Sequence, residues 1–366
     1  MPVSNPVPGE RLTGTSVPTG HPLGPVDPLI GCADLLSCPE CGRDLAARDR
    51  SLCCPRGHSF DIAKQGYVSL LTGAATKMTG DTPAMLDARA SFQLAGHFQP
   101  IAEALSGAIG TGLADTAAHP TAPAAETTRP VRNPAPRAST PERGGLTRPG
   151  STMAGVSAAR LAAAFLPERR AVPEFAGPAL LEIGAGTGYY LAAALDAVPS
   201  ARGLALDVSK PAARRSARAH PRAGAVLADA WRGLPVRDES VTAVLSVFAP
   251  RNAREVARVL NPAGRFLVVT PTTRHLGELI EPLDMVSVDA SKTDRLADSL
   301  GDRFELVDRS TIEYRMSLTH TDIANVAAMG PSAFHAAEQR AARIAALPEP
   351  FGVTASVIVS VYRPRG

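Results

Sequence analysis

Cys38-Pro-Glu-Cys41 and Cys54-Pro-Arg-Gly-His58 stand in one short stretch of the chain. Three thiolates and one imidazole in a C-x2-C and C-x3-H arrangement form the soft tetrahedral donor set that a closed structural Zn2+ takes. All five cysteines of 366 residues (Cys32, Cys38, Cys41, Cys53 and Cys54) fall before position 55. No secretory signal is read ahead of them, so disulfides are disfavoured and a reducing, cytoplasmic setting is expected. Cys53 competes with Cys54 for the third ligand position. The C-x3-H spacing and the proline after Cys54, matching the one after Cys38, favour Cys54 and leave Cys32 as a spare. Four protein ligands leave no open position for a substrate, so such a metal serves to fold a module too small to bury a sufficient core.

A second motif, LLEIGAGTG over residues 180–188, places Gly184, Gly186 and Gly188 after a buried strand and before a helix. Bare backbone there lets a ligand approach closely, and the helix N-terminus offers unpaired N–H groups to an anion. The G-x-G-x-G form differs from the dinucleotide G-x-G-x-x-G, and no G-K-[ST] follows to make a P-loop. Such a loop suits the amino-acid end of S-adenosylmethionine better than a pyrophosphate. Asp207 closes the next strand, where a carboxylate can take both ribose hydroxyls. Asp229 with Ala230, at the end of the strand after that, is placed to meet the adenine amino edge, although strand-end aspartates also cap turns.

The segment SVFAPR ends the fourth strand, at the edge where doubly wound folds present groups to a bound ligand. Phe248 and Pro250 there are candidates for stacking a base, and Arg251 for holding phosphate. His275, past the fifth strand, reaches toward the same cleft.

The elements that must position these groups follow from apolar periodicity. Alternating strand and helix signals from residue 178 onward predict an α/β fold, a doubly wound and mostly parallel Rossmann-like sheet. Two late strands, RFELVDRSTIEYRM and ASVIVSVYRP, flank the helix THTDIANVAAMG and are expected to close one sheet edge. Upstream, GDTPAMLDARASFQLAGHFQPIAEAL opens with a threonine cap and sets Met85, Ala88 and Phe92 on one helical face. The expected organisation is a disordered leader at 1–33, a zinc-binding module at 34–72 and a helical bridge at 73–111. A Pro/Ala/Thr/Arg-rich linker or insertion at 112–151 and a methyl-donor domain at 152–366 follow. Apolar content of 45% with 20% charged residues is ordinary for a globular protein, and no apolar run long enough for a membrane span is present. The formal charge of +3 does not by itself diagnose a nucleic-acid partner.

Taken in order, CPEC, CCPRGHSFDIAKQGYVSLL, GDTPAMLDARASFQLAGHFQP, LLEIGAGTGYY, DVSK, SVFAP and TPTTRHLGEL resemble the zinc-containing 23S rRNA guanine-N1 methyltransferases, a family that includes tylosin and mycinamicin resistance enzymes. The resemblance spans nearly the whole chain outside the leader and linker. It implies zinc on Cys38, Cys41, Cys54 and His58, and cofactor contacts from Phe98, Gly186, Thr187 and His275. It also implies a 23S rRNA hairpin near the macrolide site as substrate, and a homodimer whose zinc modules flank a basic cleft. Guanine N1 carries a proton that must leave for the methyl to enter, so a base or a group polarising O6 is expected; His275, Asp229 and His97 are the candidates. A paired guanine is out of reach, so the target base lies in a loop or is flipped out. The rival readings are a small-molecule O-methyltransferase, against which the zinc module argues, and a noncatalytic RNA-binding protein, against which the intact glycine loop argues.

Overall fold

The computed structural model describes residues 27–73, 76, 78, 80–118, 177–289, 299–330 and 337–365. A 3-10 turn (Ile30–Leu35) leads into strands β1 (Ala46–Arg48), β2 (Ser51–Cys53) and β3 (Ser59–Asp61), which form a small antiparallel sheet. Strand β4 (Tyr67–Ser69) leaves that sheet and pairs in parallel with β7 (Ala223–Leu227). The module is therefore built into the larger sheet as its edge strand, which the sequence boundary at residue 72 did not foresee.

Helices α1 (Pro83–Leu94) and α2 (Gln99–Ala118) precede the strands β5 (Ala179–Ile183), β6 (Arg202–Asp207), β8 (Val241–Val247) and β9 (Leu260–Pro271). Helices α3 (Tyr189–Ala197), α4 (Lys210–Ser216) and α5 (Ala253–Val259) lie between them, and α6 (Gly277–Leu283) follows. Strand β10 (Phe304–Leu318), helices α7 (His320–Ala328) and α8 (Ala337–Ala345), and strand β11 (Phe351–Pro364) complete the described chain. The eight-stranded order is β10-β11-β9-β8-β5-β6-β7-β4. All pairings are parallel except β9 with β11 and β11 with β10, so the two late strands close one edge as expected. The order reverses at β5, and that switch point is where a doubly wound sheet opens a crevice.

Leu180 and Leu181 are both fully buried yet belong to different cores, because successive strand side chains point to opposite faces. One face packs on α2 and α3 through Ile101, Leu105, Leu191 and Leu195. The other packs on the zinc module through Leu29, Leu36, Leu45 and Leu52, with α5 beside it.

Two expected boundaries move. The leader drawn to residue 33 ends earlier, because Leu29 is buried against Gly224 and Cys32 against Gly203. Asp34 binds Arg202 through two hydrogen bonds of 2.6 Å, and the same guanidinium takes the Gly31 carbonyl at 2.6 Å. The bridge drawn to residue 111 runs on as helix to Ala118. The rest of the 112–151 stretch, the start of the domain drawn from residue 152 and leader residues 1–26 lie outside the described residues. Because Arg202 is buried, Asp34→Ala should lower unfolding stability by roughly 1.5–3 kcal/mol, the usual worth of a hydrogen bond to a charged group. Urea denaturation checks this; an unmoved midpoint would mean that Leu29 alone seats the segment.

Candidate active site and metal centre

Two tight turns build the metal centre. Gly42 N–H bonds the Cys38 carbonyl at 2.8 Å, and Gly57 N–H bonds the Cys54 carbonyl at 3.0 Å, so each turn aims its ligands inward. Cys38, Cys41, Cys54 and His58 bring one donor atom each within 4.8 Å of one another. His58 Nδ1 lies 3.4 Å from the sulfurs of both Cys38 and Cys54, and the Cys41 and Cys54 sulfurs are 3.7 Å apart. Bond lengths of about 2.3 Å to sulfur and 2.0 Å to nitrogen in a tetrahedron give edges of about 3.8 Å and 3.5 Å, so the donors already stand where Zn2+ needs them. Cys53 is excluded: its thiol meets Ser59 Oγ at 3.5 Å, away from the four. Cys32 is fully buried, and burial pushes its thiol up to about 12. It is a core residue.

The glycine loop sits at the carboxyl end of β5. Gly184, Gly186 and Gly188 all take left-handed φ values of 70°, 54° and 78°. At Gly184 there is no room for more, since a Cβ would fall 2.6 Å from the Ala249 side chain. The loop thus abuts the SVFAP turn after β8. Asp207 is 8% exposed and ties the loop to α4: one oxygen accepts Gly186 N–H and the other Ser209 N–H, both at 2.8 Å. Thr187 donates its hydroxyl to Gln93 Oε1 at 2.7 Å, fastening α1 over the loop. Beneath it, burial raises Glu182 to about 8 while its carboxyl accepts Leu191 N–H at 3.1 Å. Asp229 caps its own turn by accepting Trp231 N–H at 3.0 Å, and it also accepts the Thr76 hydroxyl at 2.6 Å. Asn252 holds the Ala230 carbonyl at 3.2 Å.

Three rings from separate segments converge beside the loop. Phe98, between α1 and α2, lies 6.0 Å from the ring of His275, which is 5.6 Å from Phe248 and stacked on it at 26°. Phe248 is 42% exposed and holds a φ of 52°, a conformation that bulky side chains avoid. Ser356 N–H donates to His275 Nδ1 at 3.2 Å. Burial depresses His275 to about 4, so the ring is neutral near pH 7. With Nδ1 accepting, the proton sits on Nε2 and the ring presents a donor there, with no free lone pair for a general base.

Residues 36–75 match the zinc ribbon family described as "RlmA, N-terminal", and residues 180–264 match the methyltransferase domain family. A relative from Micromonospora griseorubida named for 23S rRNA guanine-N1 methylation is 46% identical over 90% of this chain and 97% of its own. The 23S rRNA (guanine(748)-N(1))-methyltransferase of Streptomyces fradiae is 38% identical over 90% and 96%. A Bacillus subtilis protein also named for 23S rRNA guanine-N1 methylation is 26% identical over 67% of each chain. The chain belongs to the 23S rRNA guanine-N1 methyltransferase family. It is a zinc-ribbon methyltransferase that uses S-adenosylmethionine.

The fold brings Gly184, Gly186, Thr187, Gly188 and Asp207 together, and sets Phe98, Phe248 and His275 beside them. His97 is spent elsewhere, with Nε2 3.2 Å from Asp322 on α7. Arg251 folds back to donate Nε to the Ala249 carbonyl at 3.3 Å, next to the exposed Pro250. Sequence reasoning missed Arg89, Gln93 and Glu182 as parts of the site. Their signal was present: Glu182 interrupts an apolar strand, and Arg89 and Gln93 fall four and eight residues after Met85 on the buried side of α1.

Zinc analysis of the purified enzyme should find about one metal per chain, kept in Cys53→Ser and lost in Cys54→Ser. The reverse pattern would move the third ligand. For His275, 15N NMR should report the Nε2–H tautomer with no protonation down to about pH 5. The unfolded chain binds a proton there near 6.5 and the folded chain only near 4. Between these values the unfolded state holds more protons, so stability falls as pH is lowered through the window, and His275→Asn should flatten that slope.

Proposed function

We propose that this enzyme transfers the methyl of S-adenosylmethionine to N1 of a guanine in a 23S rRNA hairpin near the macrolide site. The observation that carries the reading is Phe248, a half-exposed aromatic held in a left-handed conformation directly beside the glycine loop. Strain of this kind amounts to about 1–3 kcal/mol and persists where surrounding structure enforces it, as at ligand sites. A flipped guanine stacked on Phe248 would lie next to the donor methyl, with His275 Nε2–H available to O6. The activities for which the relatives are named support the same substrate.

On this reading Asp207 takes the ribose hydroxyls and Asp229 with Ala230 the adenine edge, while Phe98, Gly186 and Thr187 contact the cofactor. Pro250 and Arg251 flank the target nucleotide. The RNA is clamped along a cleft of about 650 Å3 between the zinc module and the sheet, lined by Leu70, Asp229, Arg232, Arg237 and Arg258, with Trp231 53% exposed at its side. A cytoplasmic homodimer with paired zinc modules would extend that cleft, and lowered affinity of the modified ribosome for a tylosin-type macrolide is the corollary. Among the described residues no helix is long and apolar enough to cross a membrane.

Labelled methyl should enter 23S rRNA and block reverse transcription at one guanine. Phe248→Gly should keep or raise the melting temperature, because glycine relaxes the left-handed φ, while kcat/KM falls at least about tenfold. Label found in a small metabolite and never in RNA would reject the reading.

A further inference from the structure

Arg89 of α1 brings its guanidinium onto the donor loop. A Cβ built on Gly186 would lie 2.8 Å from Arg89 Nη1, so guanidinium and loop backbone face each other with no side chain between them. Nη1 pairs with the Asp81 carboxylate and Nη2 donates to the Met329 carbonyl at 2.9 Å. The pair keeps about a quarter of its side-chain surface, 26% for Arg89 and 22% for Asp81. Arg89 acts electrostatically on Glu182, Asp207 and Tyr190, the acidic and phenolic groups around the loop. The Tyr190 hydroxyl is buried and has no hydrogen-bond partner among the described residues. Asp207 already has both oxygens on backbone N–H groups.

The amino-acid end of the methyl donor carries a carboxylate, and a planar guanidinium is its best-matched partner. Resting on the placement of the donor at the glycine loop, we propose that Arg89 anchors the α-carboxylate of S-adenosylmethionine, its guanidinium held over Gly186 by Asp81. The arrangement gives Gly186 a reason beyond its φ, since any side chain there would displace the anchor. It also sets the specificity of the site: nucleosides without the amino-acid end lose the contact.

Calorimetry on the full chain with S-adenosylhomocysteine and with 5′-methylthioadenosine tests the assignment. Arg89→Gln should weaken S-adenosylhomocysteine roughly ten- to hundredfold, leave 5′-methylthioadenosine within about twofold, and be partly rescued by Arg89→Lys. Unchanged S-adenosylhomocysteine affinity overturns the anchor, as does an equal loss for both ligands, which is the mark of a strut between α1 and α7. Should Arg89→Gln fail to fold, the unaltered protein decides: decarboxylated S-adenosylmethionine should bind at least about tenfold more weakly than the parent, and equal binding overturns the proposal. An unaltered protein that binds none of these nucleosides overturns the donor placement and the anchor together.

Discussion

A parallel sheet needs an apolar cover on both faces, and in this enzyme one cover is a small module whose two turns converge on three thiols and an imidazole. Strands β1, β2 and β3 are three residues long each, far below what stands alone in water. Cys38, Cys41, Cys54 and His58 draw their two turns together, and Leu36, Leu45 and Leu52 share one core with Leu181, Leu204 and Val244. The cysteine and histidine turns are thus joined to the core of the methyltransferase sheet, and β4 ties the module to it through its pairing with β7.

The glycine loop lies at the carboxyl edge of the sheet. Helix α1 lies across the carboxyl ends of β5 and β6: its threonine-capped start reaches Ser209 through the Asp81 carbonyl at 2.7 Å, and its last turn holds Thr187 through Gln93. The glycine loop is therefore supported from below by Glu182 and from above by a helix nearly a hundred residues earlier in the chain. Both supports bear on a loop whose three alternate glycines take left-handed conformations.

The glycine loop and the SVFAP turn meet at the contact between Gly184 and Ala249. The loop packs on the SVFAP turn, which carries Phe248 at a φ of 52°, and the His275 ring stacks on Phe248 at 5.6 Å. The backbone N–H of Ser356 in β11 fixes which nitrogen of His275 holds the proton. A residue in the last strand thereby sets the hydrogen-bonding character of a residue in the cleft.

Features that depend on neighbours in sequence could be read from the chain. C-x2-C and C-x3-H spacings fit turns of four or five residues, three alternate glycines after an apolar run mark a strand-to-helix loop, and continuous apolar strands mark a sheet buried on both faces. Features that depend on distant contacts could not. Cys53 and Cys54 differ by one position, and only the pairing of β2 with β3 turns one sulfur to Ser59 and the other to His58 and the cysteine cluster. Leu29 looks like leader until Gly224 provides a surface for it, and β4 reads as part of the module until β7 supplies its hydrogen-bonding edge. Arg89 is an ordinary helical arginine until tertiary packing lays its guanidinium on Gly186. Local sterics and ligand spacing are written into short stretches of residues, whereas burial, ion pairing and tautomer belong to surfaces that exist only once the chain has closed on itself.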